Sequence, residues 1–393
     1  MSSSNRRDFL KQSTAGAAAA SLTATGLMPR RTFGAELSKF ERVAYRELGS
    51  TGFKASEIGF GCMNMRDPEL VHAAIDRGIN YIDTAHSYMN GVNEDVVGKV
   101  MKTKRDKVFL ATKVKWTDPK QMPKMMETSL KRLQTDHVDI MFMHILNKRK
   151  DVLNDDFIKM FDDAKKRGLC KYVGVTTHSN QGEVLDAATD SKFWDAVLVG
   201  YNAMSPPSVG TAIGRARNAG IATIAMKIIL NPATNPWTPV DDIRKDKNSK
   251  ISQAQALIKW VLDDRFVDTT IPGMTSFEQL NENFALMGMP MSFGERRSIM
   301  RLGETMRGSY CSGVAGCTGC VDQCPNGVCV NDINRCLMYA GGYGDIDLAR
   351  ENYDDLPESS KLAVCADCDE CTVECVNGLD LVQNIKRAKE LFA

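Results

Sequence analysis

Between Tyr45 and Met291 the chain repeats one pattern: a short apolar, largely β-branched run ends in a polar group, and a segment with helical spacing follows. The runs are SEIGFGC, INYIDTA, VFLATKV, VDIMFMH, KYVGVTTH, AVLVGYN, IATIAMK and DTTIPG. Their apolar stretches are near-continuous rather than alternating, which marks strands buried on both faces and therefore paired in parallel. Eight β-then-α units over roughly 250 residues are what a closed (β/α)₈ barrel requires. The predicted fold class is α/β, a (β/α)₈ TIM barrel over residues 43–292. The polar groups that end the runs, Asp83, Lys113, His144, Thr177, Asn202 and Lys227, would converge on the C-terminal face, where such barrels build active sites.

Composition shifts sharply after residue 300. Ten of the 12 cysteines lie between Cys311 and Cys375, which predicts a second, small domain over residues 300–393. The run CADCDECTVEC sets Cys365, Cys368, Cys371 and Cys375 at the spacing of a bacterial iron–sulfur run. The run CSGVAGCTGCVDQCP sets Cys311, Cys317, Cys320 and Cys324 with a wider first gap and Pro325 after the last thiol. The spacing predicts a cysteine-rich, ferredoxin-like α-helical domain holding one or two 4Fe–4S clusters. By the crossed rule for two-cluster domains, Cys365, Cys368 and Cys371 join Cys324, while Cys311, Cys317 and Cys320 join Cys375. Tetrahedral zinc and disulfides are the other uses to which such thiols are put.

The N-terminal segment NRRDFLKQSTAGAAAASLTATG reads as an export signal: Arg6 and Arg7 precede a mildly apolar run rich in Ala, Ser and Thr. That run is too short and too polar to span a bilayer. It is similar to a twin-arginine signal over residues 1–35, which predicts export of the folded chain to the periplasm. Clusters assembled in the cytoplasm would require that route. A formal net charge of +1 gives no reason to expect a nucleic-acid partner, and no other segment is apolar enough to cross a membrane.

The strand ends resemble a known family. NYIDTAHSY carries Asp83 and Tyr88, FLATKV carries Lys113 and MFMH carries His144, in the order of the aldo-keto reductase tetrad. YRELGSTGFKASEIGFGC is also similar to that family's N-terminal hairpin and first strand. The resemblance implies hydride transfer between a carbonyl compound and an alcohol. Tyr88 would be the general acid/base, Lys113 would lower its pKa, Asp83 would anchor Lys113, and His144 would orient the carbonyl or relay the proton. It also implies a nicotinamide nucleotide across the mouth, with Gly61, Cys62, Thr176, Thr177, Tyr201, Asn202, Met226 and Lys227 around it. Glu282 and Asn283 match the adenine-contacting pair, whereas Gly273 and Gln279 stand where the family places Lys and Arg against the 2′-phosphate of NADP. NAD and NADP are thus both admissible, without the charge that selects NADP. Met63, Asn64, Met89, Trp116 and His178 are candidate lining for the substrate.

The branch of this family with a C-terminal 4Fe–4S region implies an exported oxidoreductase that takes a small carbonyl or alcohol substrate. Its clusters would exchange electrons with an external carrier. Two other classes of function suit the same motifs: an electron-transfer protein whose barrel is a docking scaffold, and a non-catalytic binding module for a carbonyl compound or sugar.

Overall fold

The computed structural model describes residues 43–115, 118, 120–229, 251–306, 311–320, 323–342, 344–356, 358, 361–365, 368 and 371–392. The N-terminal segment predicted to direct export (residues 1–35) and Trp116 lie outside the described residues.

All eight predicted runs form strands of one parallel sheet. After a short antiparallel hairpin of β1 (Tyr45–Glu47) and β2 (Lys54–Ser56) come β3 (Phe60–Gly61), β4 (Tyr81–Asp83), β5 (Phe109–Lys115) and β6 (Val138–His144). Then follow β7 (Cys170–Thr177), β8 (Ala196–Gly200), β9 (Ala222–Met226) and β10 (Thr269–Thr270). Neighbours pair in chain order from β3 to β10, and bridges Ile58–Thr270 and Gly61–Gly273 join the last strand to the first. The sheet is therefore a barrel. Closure needs a glycine at 61, because a Cβ there would lie 2.6 Å from the Ile271 carbonyl oxygen.

The two-residue period of each strand sorts its side chains into two layers. Tyr81, Phe109, Ala111, Ile140, Phe142, Ala196, Leu198, Ala222, Ile224 and Met226 fill the barrel interior. Their neighbours, such as Ile82, Leu110, Met141, Val173, Val197 and Ala225, pack outward against the helices. The hairpin closes the N-terminal end, with Leu48 buried among the interior residues and Phe53 4.9 Å from Phe109.

The connecting helices are α1 (Pro68–Asp76), α2 (Val92–Lys104), α3 (Met122–Leu133), α4 (Asp155–Lys166), α5 (Gln181–Ser191), α6 (Pro207–Asn218), α7 (Gln253–Leu262) and α8 (Phe277–Phe284). Beyond them, α9 (Phe293–Met306) returns along α7 and is tied to it by Lys259, which donates to both Glu295 oxygens at 2.8 Å. The cysteine-rich region is helical, with α10 (Val330–Gly342), α11 (Ile346–Asp354) and α12 (Leu381–Phe392). It sits on the C-terminal face of the barrel. Asn147 after β6 donates to Asp332 at 2.6 Å, Lys115 pairs with Asp355 at 3.3 Å, and Lys227 after β9 donates to Tyr339. None of the described helices is long and apolar enough to cross a membrane.

Candidate active site

Asp83, Lys113 and His144 continue the inward phase set by Tyr81, Ala111 and Phe142, so three successive strands deliver them to one point. All three are buried. The Lys113 ammonium donates to Asp83 Oδ1 at 2.5 Å and to the Thr84 carbonyl at 2.7 Å. Its third donor reaches the Tyr88 hydroxyl at 3.3 Å. The Tyr88 ring stands edge-on to His144 with centroids 6.0 Å apart. The tetrad predicted from three separate motifs is thus one cluster.

Tyr88 comes from a loop rather than a strand, and the backbone of β5 holds that loop. Thr84 N–H donates to the Ala111 carbonyl at 3.0 Å and His86 N–H to the Lys113 carbonyl at 2.9 Å. The chain then turns through left-handed Met89, Asn90 and Gly91 into α2. At 2.8 Å, Glu351 on α11 accepts from Asn90 N–H, so the cysteine-rich region also pins this loop.

The electrostatics differ from expectation at one point. Lys113 was expected to acidify Tyr88; instead burial pushes the Tyr88 phenol well above its ordinary range, and Asp83 adds to the rise. The reason is in the distances: Asp83 takes up the ammonium at 2.5 Å, which cancels most of the charge the phenol sees at 3.3 Å. Tyr88 is therefore a protonated donor. Burial lowers Lys113 and raises Asp83, and each carries the opposing charge that holds the other ionised. Burial also drives His144 well below 6.5, with Lys113 and Arg335 adding to the effect, so its imidazole is neutral.

Histidine burial sets a pH dependence. His86 is pushed to about 4, first by burial and then by Arg132 and Lys115, from an ordinary value of 6.5. Below 6.5 the unfolded chain binds a proton there that the folded chain refuses, so this residue costs stability as pH falls. Relative to His86→Gln, the native chain is expected to lose stability progressively from pH 6.5 down to about 4, measured as urea midpoints. Parallel midpoints across that window would show that His86 charges freely in the fold.

The expected nucleotide contacts divide. Met226 lies inside the barrel, at the mouth end of β9. Asn202 is wholly buried and spent on backbone, donating to the Lys227 carbonyl at 2.9 Å and accepting from Met204 N–H at 3.0 Å. Thr176 Oγ1 accepts from Ile145 N–H at 2.8 Å, and Thr177 donates to the Ser179 carbonyl. Tyr201 and Cys62 require correction. Both fall on the outward phase of their strands: Tyr201 donates to Asp264 at 3.1 Å with its ring 5.2 Å from Trp260, and Cys62 packs in the layer between barrel and helices. Gly61 serves closure. On α8, Glu282 is exposed and Asn283 buried, while Gln279 folds back to accept from Thr275 N–H at 2.7 Å. Among the candidate lining residues, His178 is buried with its ring 6.4 Å from His144, and Met63 packs beside the cluster of α9, α10 and α11.

Sequence reasoning missed what α10 brings. Arg335 is among the most deeply buried side chains, donating to Asn352 at 3.0 Å and lying 3.5 Å from both the Tyr339 hydroxyl and an Asp332 oxygen. The signal was present in NDINRCLMYAGG, where Asp332, Arg335 and Tyr339 recur at helical spacing on one face.

Cys311, Cys317, Cys320, Cys324, Cys365, Cys368, Cys371 and Cys375 are free thiols. Burial pushes Cys311 up to about 12, and the neighbouring thiols that add to this are Cys320, Cys317 and Cys375. Cys365 is raised by burial and then by Cys324, Cys368 and Cys371. Asn326 donates to Cys368 Sγ at 3.0 Å and Asn377 to Cys317 Sγ at 3.5 Å. Among the described residues, no three Cys, His, Asp or Glu side chains close into a cage that would hold a metal ion.

Comparison with known proteins agrees with the barrel. The aldo-keto reductase YhdN of Bacillus subtilis is 37% identical over 308 residues, 65% of this chain and 92% of its own. A 149-residue stretch is 31% identical to the uncharacterized oxidoreductase YqkF of the same organism, covering 34% of this chain and about half (48%) of that one. The crystal structure of an aldo-keto reductase from Klebsiella pneumoniae in complex with NADPH superposes with a TM-score of 0.58 at 25% identity, over 66% of this chain and 95% of that one. The model of the aldo/keto reductase family matches residues 57–295, which takes in every barrel strand and all four tetrad positions. A match of that extent, on a fold that brings the tetrad together, makes this chain a member of the aldo/keto reductase family and an oxidoreductase of that type.

Proposed function

We propose that the chain interconverts a small carbonyl compound and its alcohol by hydride transfer with a bound nicotinamide nucleotide, NAD or NADP. The observation that carries this reading is the Tyr88 hydroxyl held 3.3 Å from an ammonium that is itself locked to Asp83. Hydride arriving at carbon leaves charge on oxygen, and a donor must meet it. Tyr88 gives that proton, Lys113 steadies the phenolate left behind, and neutral His144 orients the carbonyl oxygen. The nucleotide supplies the hydride. The NADPH in the Klebsiella relative supports a nicotinamide partner. In this chain Gly273 and Gln279 leave the 2′-phosphate position without cations, so NAD is admitted as readily.

We further propose that the two thiol groups hold one or two 4Fe–4S clusters that exchange electrons with an external carrier, and that the chain is exported folded to the periplasm. The donor set fits: four thiolates per group, with side-chain amides from Asn326 and Asn377 set to donate to sulfur. Anaerobic purification followed by iron, acid-labile sulfide and zinc analysis tests this. Iron and sulfide in equal amounts, with a cluster signal in electron paramagnetic resonance after reduction, are expected. Stoichiometric zinc, or thiols that remain metal-free, would dismiss the clusters.

A further inference from the structure

We infer that Arg335, delivered by the cysteine-rich region, binds a carboxylate on the substrate, so that the barrel site acts on oxo acids and the matching hydroxy acids. The inference rests on the reductase reading of this site and adds the substrate class to it.

Helical spacing sets where Arg335 points. Asp332, Arg335 and Tyr339 stand at i, i+3 and i+7 on α10 and therefore share one face. Both ends of that face are fastened to the barrel mouth. Asp332 Oδ2 accepts from Asn147 at 2.6 Å and from Ser179 at 3.5 Å, residues of the loops after β6 and β7. Tyr339 accepts from Lys227, the residue that follows β9. Arg335 lies between these anchors, since the helix rises only about 1.5 Å per residue. The anchors are themselves constrained. β6 and β9 leave the barrel through left-handed Ile145 and Lys227, a conformation such side chains adopt only when surrounding contacts hold it.

Contacts also lead from the tetrad to this helix. The His144 ring lies 6.0 Å from that of Tyr88 and 6.4 Å from that of His178. His178 adjoins Ser179, which reaches Asp332.

The Arg335 side chain is wholly buried, and only part of its guanidinium is engaged. Nη1 donates to Asn352 at 3.0 Å and to Tyr339 at 3.5 Å. Among the described residues, Nε and Nη2 have no hydrogen-bond partner. These two nitrogens form one edge of the guanidinium, and their parallel N–H bonds match the two oxygens of a carboxylate. Asp332 does not fill that edge: its Oδ1 stands 3.5 Å from Nε without a hydrogen bond, and its Oδ2 is held by Asn147. Leaving buried charged donors unmet is costly, so a ligand that brings both acceptors is favoured there.

The neighbouring charges favour an anion as well. Lys113 is paired with Asp83 and Lys115 with Asp355, while Glu351 accepts from the Asn90 N–H at the rim. Lys227 has no carboxylate partner among the described residues. A substrate carboxylate on Arg335 leaves the carbonyl of the same molecule for Tyr88 and His144. The carboxylate is a handle, and no bond to it forms or breaks.

The test compares short-chain ω-oxo acids with their methyl esters on anaerobically purified holoprotein. The chains are the native one, Arg335→Lys, and Arg335→Gln combined with Asp332→Asn, which removes both buried charges together. The native chain is expected to favour acid over ester in kcat/KM by about 10- to 100-fold, the contribution of a charge-assisted hydrogen bond, with the difference carried in KM. In both variants that ratio should fall toward one. Calorimetry with butanoate and butanamide reads the same site without turnover: butanoate should bind the native chain, bind the variants far more weakly, and butanamide should bind none. Near-ultraviolet circular dichroism checks that the variants fold.

A native chain that takes esters as well as acids and binds no butanoate overturns the proposal, whether or not the variants fold. An acid-to-ester ratio that survives in Arg335→Lys while nucleotide affinity falls also overturns it, because the guanidinium then serves a nucleotide phosphate. A native chain that binds nucleotide yet turns over no carbonyl, acid or ester, overturns the reductase reading instead. Butanoate binding that is lost in Arg335→Lys still supports the anion site in that event.

Discussion

Tyr88→Phe is expected to lower kcat about 10²- to 10⁴-fold, the usual contribution of a positioned proton donor, and to leave the fold intact. The variant keeps the ring against His144 and removes one oxygen. Lys113 retains Asp83 and the Thr84 carbonyl, so no buried charge is stranded. Steady-state reduction of a panel of aldehydes and ketones, with nucleotide binding measured in parallel, gives the answer. Nucleotide affinity should be little changed, because the lost interaction belongs to the transition state. Undiminished turnover would mean that the barrel is a scaffold and that the cysteine-rich region carries the function.

Lys113→Met is expected to be the most damaging single change to stability. Asp83 is almost fully buried and, among the described residues, its Oδ2 has no hydrogen-bond partner and the Lys113 ammonium is its one source of charge compensation. Removing one member of a buried pair typically costs about 3–5 kcal/mol. The sign can be checked by a second change. Asp83→Asn combined with Lys113→Met removes both charges and should recover much of the loss in denaturant midpoint, while turnover stays abolished in both. If the double variant is no more stable than Lys113→Met alone, the damage comes from lost packing and not from a stranded carboxylate.

Much of the site was legible because its residues are punctuation in a local pattern. A strand that must be apolar on both faces can end in Asp, Lys or His only where the polar group finds partners, and parallel topology sends every such end to one face. Asp83, Lys113 and His144 were readable on that ground. Tyr88 lies in a loop and was legible through the family motif. Cys62 and Tyr201 sit beside polar strand ends too, but one residue out of phase. A motif marks the position along a strand, while the pleat decides which layer the side chain enters.

The eight apolar runs, their helical connectors and the spacing of the thiols were determined by the sequence alone, since each is a matter of short-range periodicity. Tertiary structure decided the rest. It laid α10 across the mouth and so brought Arg335 and Tyr339 beside residues more than a hundred positions earlier. It reversed the expected shift of Tyr88, because a phenol's acidity depends on how much water is excluded and on which charges are already neutralised. Periodicity records which neighbours a residue has along its own element; desolvation depends on segments that only the folded chain brings together.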